Sequence, residues 1–214
     1  MFNNVCLVKK VFAKNSDEEL SQFRLNHFNF IFQSTNLMRN FSAYENIALT
    51  RMIQGYSQEE AFAKTATVLA ELGLGHITED RMAQELSGGQ QQRLAFARAI
   101  IPDFTVLFGD EPTGNLDSDN AVRAMELLST KLSQLNGSSA IIVSHDMHLS
   151  TTFADMIIKI RKESRNLNDV KDEVVHYGVI DQTCVYIPSE DRSTWSNGLV
   201  HYQSNDFEQF LKRI

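Results

Sequence analysis

Residues 86–93 read Leu86-Ser87-Gly88-Gly89-Gln90-Gln91-Gln92-Arg93, and the run continues Leu-Ala-Phe-Ala-Arg98-Ala-Ile-Ile to Pro102. Ser87 can cap a helix whose third residue is Gln90, its hydroxyl taking one of the first-turn N–H groups that have no partner inside the helix. Gly88 and Gly89 add no side chain, so the N–H groups of that turn stay open to approach. A helix N-terminus with open donors is an anion site. Pro102 ends the helix near Ile101, because the residue before a proline is pushed out of the helical region.

Downstream, residues 105–108 (Thr-Val-Leu-Phe) read as a buried strand. It delivers Gly109, Asp110, Glu111 and Pro112, then Thr113-Gly114-Asn115-Leu116-Asp117-Ser118. A helix follows over 118–135, a turn at Asn136-Gly137, a strand over 140–143 and a further strand over 156–160. The strand 140–143 runs into Ser144-His145-Asp146. Upstream, residues 28–32 alternate Phe-Asn-Phe-Ile-Phe and read as a strand ending at Gln33. A helix starts near Ser42. Another opens with the capping box Ser57-Gln-Glu-Glu60, buries Phe62, Ala66, Leu69 and Leu72, and stops at Gly73. Residues 5–14 read as a short strand, with a small helix from about Asn15 to Arg24. Strands alternating with helices predict an α/β fold on a parallel sheet.

The last fifty residues change character. Residues 161–171 are polar and aperiodic, the expected linker. Residues 179–187 and 199–202 read as strands, with Asn197-Gly198 as a hairpin turn after Trp195. Asn205-Asp-Phe-Glu208 is expected to cap a short helix with Phe207, Phe210 and Leu211 on one face. No chemistry is visible there, and a structural or docking extension is the expectation.

Composition bounds the rest. The 214 residues suffice for one domain with an appendage, and 43% hydrophobic with 22% charged residues is ordinary for a globular protein. A net charge of −7 argues against a duplex nucleic-acid binder. No apolar run approaches the ~20 residues of a membrane helix, so membrane association is expected through a partner. Cys6 and Cys184 lack metal-ligand spacing and read as reduced thiols of a cytosolic protein.

Taken one by one, Ser-Gly-Gly-Gln is a turn and cap, Asp-Glu-Pro a solvated strand end, and a lone histidine after a strand a surface residue. In this order and spacing they resemble one family, the nucleotide-binding subunits of ABC transporters. The resemblance covers roughly residues 5–162 and is nearest the bacterial lipoprotein-release and macrolide-export branch. It implies a P-loop NTPase-like parallel sheet over 1–162, with a helical signature subdomain at about 35–101 and a small extension over 163–214. It also implies roles. Ser87, Gly88, Gly89 and Gln90 are the signature that meets a partner's ATP, and Asp117 belongs to the loop that crosses the dimer interface. Asp110 and Gln33 attend Mg²⁺. Glu111 polarises the attacking water, His145 contacts the γ-phosphate, and Gln33 senses both ion and water. Residues 78–81 (Thr-Glu-Asp-Arg) stand where the family relays motion to its membrane subunit. The implied cofactors are ATP and Mg²⁺. The implied partners are a transmembrane subunit and a second cassette, alike or different, at the inner face of the cell membrane. Transport specificity lies in the membrane partner.

The departure is at the front. The family's phosphate loop ends in Gly-Lys-Ser/Thr, and no glycine precedes Gly55. That loop supplies backbone N–H bonds and a lysine to the β- and γ-phosphates. The chain is therefore expected to be N-terminally truncated relative to the family, with Met1 an internal methionine, and unable to grip ATP in its own site. The alternative is a non-catalytic module that lends its signature to a complete partner.

Overall fold

The computed structural model describes residues 16–166 and 174–212. The strand expected over 5–14, and Cys6 with it, lie outside these. The chain packs as two units, one to Ser144 and one from His145. The boundary expected at residue 162 falls inside the second.

Unit one starts with helix α1 (Asp17–His27), which runs straight into strand β1 (Phe28–Ile31). Three helices follow, α2 (Ala43–Ile53), α3 (Gln58–Glu71) and α4 (Gly88–Ile100), with a short 3₁₀ turn at Ala83–Glu85. Strand β2 (Val106–Asp110), helix α5 (Ser118–Gln134) and strand β3 (Ser139–Val143) complete it. Four of these helices begin with reciprocal capping boxes, at Ser16/Glu19, Ser42/Glu45, Ser57/Glu60 and Ser87/Gln90. Each satisfies two otherwise orphaned N–H groups at once. Gly73 closes α3 at φ +70°, where a β-carbon is unwelcome. The expected buried stripe of α3 is rotated. Thr65, Val68, Leu69 and Leu72 are buried, Phe62 is half-buried and Ala66 is exposed. Ala61 and Thr65 point inward at a four-residue step, and Thr65 buries its hydroxyl by donating it to Ala61 O at 2.8 Å.

The three strands lie side by side in the order β1-β2-β3, all parallel. Phe28, Phe30 and Phe32 share one face with Phe108, Ile141 and Val143, since register sets Phe30, Phe108 and Ile141 in one row. The opposite face carries Ile31, Leu107 and Gly109. It packs into the main core with Leu94, Phe96 and Ile100 of α4 and Ala124 and Leu128 of α5. The phenylalanine face is bare by contrast: Phe30, Phe32, Ile141 and Val143 are 50–61% exposed. Parallel sheets are ordinarily covered on both faces, so among the described residues this core has one face finished and one open.

Unit two holds helix α6 (Met147–Phe153), strands β4 (Ile157–Ile158), β5 (Arg161–Asn166) and β6 (Val174–Val179), and a 3₁₀ turn at Gln182–Cys184. Strands β7 (Val185–Pro188), β8 (Thr194–Ser196) and β9 (His201–Gln203) and helix α7 (Ser204–Leu211) follow. Four expectations change here. The strand expected at 156–160 does not extend the parallel sheet; Ile157 and Ile158 pair antiparallel with Tyr186 and Val185. The expected linker is a strand, because β5 forms an antiparallel ladder with β6 whose backbone bonds need no apolar side chains. The strand expected over 179–187 is broken, with β6 ending at Val179 and β7 starting at Val185. The last helix starts two residues early, capped at Gln203 rather than Asn205 and without a side-chain cap, so Asn205 lies inside it. Phe207 and Leu211 are buried as expected and Phe210 packs against them, in a cluster with Tyr186 and Trp195. Asn197-Gly198 makes the expected turn, Gly198 at φ +84° and the Asn197 carboxamide oxygen accepting from the N–H groups of Leu199 and Val200.

Candidate functional site

Parallel strands end together, and the register fixes how. Ile31 is level with Gly109, and Gly109 with Ile142. Gln33, Glu111 and Ser144, each two residues further on, therefore stand along one carboxyl edge, where ligands of open α/β sheets bind. Asp110 is the last residue of β2 and is exposed. Gln33 is exposed and makes no hydrogen bond among the described residues. His145 opens the second unit, also exposed.

Glu111 is held in an unusual conformation. Its φ is +47°, in the left-handed region that costs a non-glycine residue about 1 kcal/mol or more. Its N–H donates to Val143 O at 2.9 Å, and its carbonyl accepts from Gly114 N at 3.1 Å. Pro112 and Thr113 behind it are buried. Gly109 makes room for this turn, because a β-carbon there would stand 2.6 Å from Ile142 Cδ1 and 3.5 Å from Pro112 Cγ. Beneath lies Gln92 of α4, 1% exposed, donating from Nε2 to Pro112 O at 3.4 Å while its Oε1 has no partner among the described residues.

The N-terminus of α4 is a separate surface. Five residues at 1.5 Å per residue set Ser87 about 7.5 Å further out along the helix than Gln92. Ser87 Oγ accepts from Gln90 N at 3.4 Å, and Gln90 Oε1 accepts from Ser87 N at 2.9 Å. The Gln90 amide also lies 3.3 Å from His76 Nε2. Between them, Gly88 and Gly89 are helical, without positive φ, and a β-carbon on either would meet no heavy atom within 4 Å. Neither backbone conformation nor packing among the described residues requires glycine at these positions.

Asp117 caps α5. Oδ1 accepts from Asn120 N at 3.0 Å and Oδ2 from Asn120 Nδ2 at 2.7 Å. These bonds, the backbone one first, and the charge of Arg93 hold its carboxyl below the usual aspartate value. Arg93 Nη1 in turn donates to Asn120 Oδ1 and to Leu72 O, both at 3.0 Å. One arginine thus ties the Asp117 turn to the signature helix and to the end of α3.

Magnesium takes oxygen ligands, keeps several waters and usually draws on one or two carboxylates plus substrate phosphates. No cluster of three metal-binding side chains exists among the described residues. An exposed carboxylate at Asp110 with Gln33 along the same edge fits an ion that brings its own water and phosphate. Among the described residues no helix is long and apolar enough to cross a membrane.

The family model described as ABC transporter matches residues 9–114. Residues 9–114 belong to the ABC transporter family. The ABC-type stretch extends into curated relatives. The chain is 36% identical over 160 residues to the lipoprotein-releasing system ATP-binding protein LolD of Colwellia psychrerythraea, covering 75% of this chain and 61% of that protein. It is 37% identical over 168 residues to the macrolide export ATP-binding/permease protein MacB of Mannheimia succiniciproducens, covering 78% of this chain and 25% of that protein. Among solved structures, the dimeric ATP-binding cassette MJ0796 bound to ADP and Pi aligns at 32% identity with a TM-score of 0.60. That alignment covers 68% of this chain and 63% of the cassette. The chain spans about three-fifths of LolD and a quarter of MacB.

Sequence reasoning missed the residues that hold these loops: Gln92, Arg93 and Asn120. A signal existed for Gln92. Phe96 and Ala99 lie four and seven residues on, the spacing of one helix face, and both are buried.

Proposed function

We propose that this chain serves as the ATP-binding and ATP-hydrolysing subunit of an ABC-type transporter, here without its phosphate loop, coupling hydrolysis to transport through a membrane-embedded partner. The observation that carries the reading is the pair Gly88-Gly89, helical and with open space around both. Glycine costs up to about 1 kcal/mol per residue in a helix relative to alanine, and the fold gains nothing from these two. An anionic ligand approaching the bare N–H groups supplies a reason for them.

ATP then lies between the phosphate loop of one cassette and Ser87, Gly88, Gly89 and Gln90 of the other, with Asp117 beside the interface. Asp110 and Gln33 would hold Mg²⁺, which would supply neutralisation of phosphate charge. Glu111 accepts the proton of the attacking water, Gln33 orients that water, and His145 donates to the terminal phosphate. The left-handed backbone of Glu111 fixes where its carboxylate starts. The chain acts at the inner face of the membrane, peripheral to its partner.

A second reading rests on the α4 N-terminus alone: a non-catalytic module that lends Ser87, Gly88, Gly89 and Gln90 to a complete cassette. Catalysis by this chain is tested at Glu111. In a form extended by a phosphate-loop segment, Glu111→Gln should retain ATP binding and lower turnover by about 10²–10⁴ if Glu111 is the general base. Unchanged turnover excludes Glu111 from that role.

A further inference from the structure

The loop after β1 carries Gln33 and runs to α2 with few bonds of its own. Within it, Ser34 Oγ donates to Asn36 Oδ1 at 3.2 Å. Two side chains from neighbouring helices hold it. From α2, Asn46 is fully buried and accepts from Met38 N at 2.9 Å through Oδ1. Its Nδ2 lies within bonding distance of the carbonyls of Met38, Phe41 and Ser42. From α4, Arg98 donates Nη1 to Asn36 O at 2.8 Å and Nη2 to Thr35 O at 2.9 Å. Asn36 has φ +44°, so the chain turns sharply where one guanidinium fork spans its two successive carbonyls. Burial pulls the Arg98 guanidinium below the ordinary arginine value, and no carboxylate among the described residues is paired with it. The charge is thus half-buried with two backbone carbonyls as its bonded acceptors.

We propose that Arg98 is the positioning residue of the loop that carries Gln33, fixing from the signature helix where that glutamine stands at the sheet edge. Asn46 pins the far end of the loop, and Arg98 sets the turn two residues after Gln33. The same helix bears Gln92 under the Glu111 turn and Arg93 on the Asp117 cap. A displacement of its signature end is therefore delivered to Gln33 through Arg98. The significance of the clamp rests on the functional reading of Gln33 given above; its existence does not.

The test uses the chain 1–214 in three forms: wild type, Arg98→Met, which keeps the apolar stem, and Arg98→Lys, which keeps a charge but offers no planar fork. Amide hydrogen exchange across residues 34–38 should accelerate tenfold or more in Arg98→Met and by less in Arg98→Lys. Exchange elsewhere in the first unit should stay within twofold of wild type. The Gln33 side-chain amide resonances should shift in Arg98→Met, while those of Gln54, held by Leu25 O and Asp103 O, should not. Unchanged exchange at 34–38 overturns the proposal. So does acceleration spread evenly over the whole unit, which makes Arg98 a general stabiliser. If Gln33 proves idle in turnover, the exchange result is untouched. If the clamp fails, the turnover role proposed for Gln33 is not thereby touched.

Discussion

Replacing both Gly88 and Gly89 by alanine should make the chain more stable. Both positions are helical with negative φ, and each added methyl would enter open space, with no heavy atom within 4 Å. No steric term therefore opposes the substitution, and the helix term acts alone. Alanine is favoured over glycine by about 1 kcal/mol in a helix interior, and less in the first turn, where backbone restriction is smaller. About 0.5–1 kcal/mol per site gives about 1–2 kcal/mol for the pair. In a chain of 214 residues each kcal/mol moves the midpoint by about 2–4 °C, so thermal unfolding should shift upward by about 2–8 °C. Circular dichroism melts of the wild type, both single variants and the double variant measure this directly. The same methyls would stand where a phosphate must meet N–H groups, so the stabilised variant should pair less well with an ATP-loaded cassette. A drop in stability of 1 kcal/mol or more would refute the reasoning. It would mean that the fold itself needs these glycines, and the ligand explanation for them would lapse.

Three further outcomes are expected. On the proposed reading, in which residues 87–90 supply one side of a nucleotide site, the chain 1–214 alone should show no micromolar ATP binding by calorimetry. Asp103→Ala should destabilise the first unit by about 1–3 kcal/mol in urea melts, because Lys131 (3.0 Å) and Arg51 (4.0 Å) are 13% and 12% exposed and lose their carboxylate. The figure sits below the usual cost of breaking a buried pair because Asp103 itself is half-exposed. In the second unit, hydroxyl and N–H bonds from Ser189 and Ser193 hold the Asp191 carboxyl at about 2. A depressed carboxylate adds stability that is present above pH ~4 and lost as pH falls through the folded value. Fluorescence of Trp195, the single tryptophan, should report a second unit that weakens between pH 4 and 2, with a flatter profile in Asp191→Asn.

Local chemistry was legible in the sequence and long-range pairing was not. The boxes at Ser57/Glu60 and Ser87/Gln90 could be placed because donor and acceptor lie three residues apart. The carboxyl-edge position of Gln33, Asp110 and Glu111 followed from strands alternating with helices. Residues 161–166 looked like a linker because Arg-Lys-Glu-Ser-Arg-Asn has no apolar alternation, yet a ladder needs only backbone groups and a partner strand. The burial of Thr65 was hidden because its hydroxyl is satisfied inside the helix, which no hydrophobic count detects. Glu111 was chosen for its charge and its place after a strand. Its left-handed backbone depends on Gly109, Ile142 and Val143, residues that meet it only once the sheet has formed.

The most direct test is ATP-dependent pairing of the chain 1–214 with a complete LolD-type cassette, followed by light scattering. A mixed dimer should form with ATP and vanish without it. Ser87→Arg should abolish that dimer while lowering stability by only about 1 kcal/mol, the loss of one helix cap. No pairing in ATP, or equal pairing by Ser87→Arg and wild type, would contradict the assignment of the α4 N-terminus as a nucleotide-binding surface.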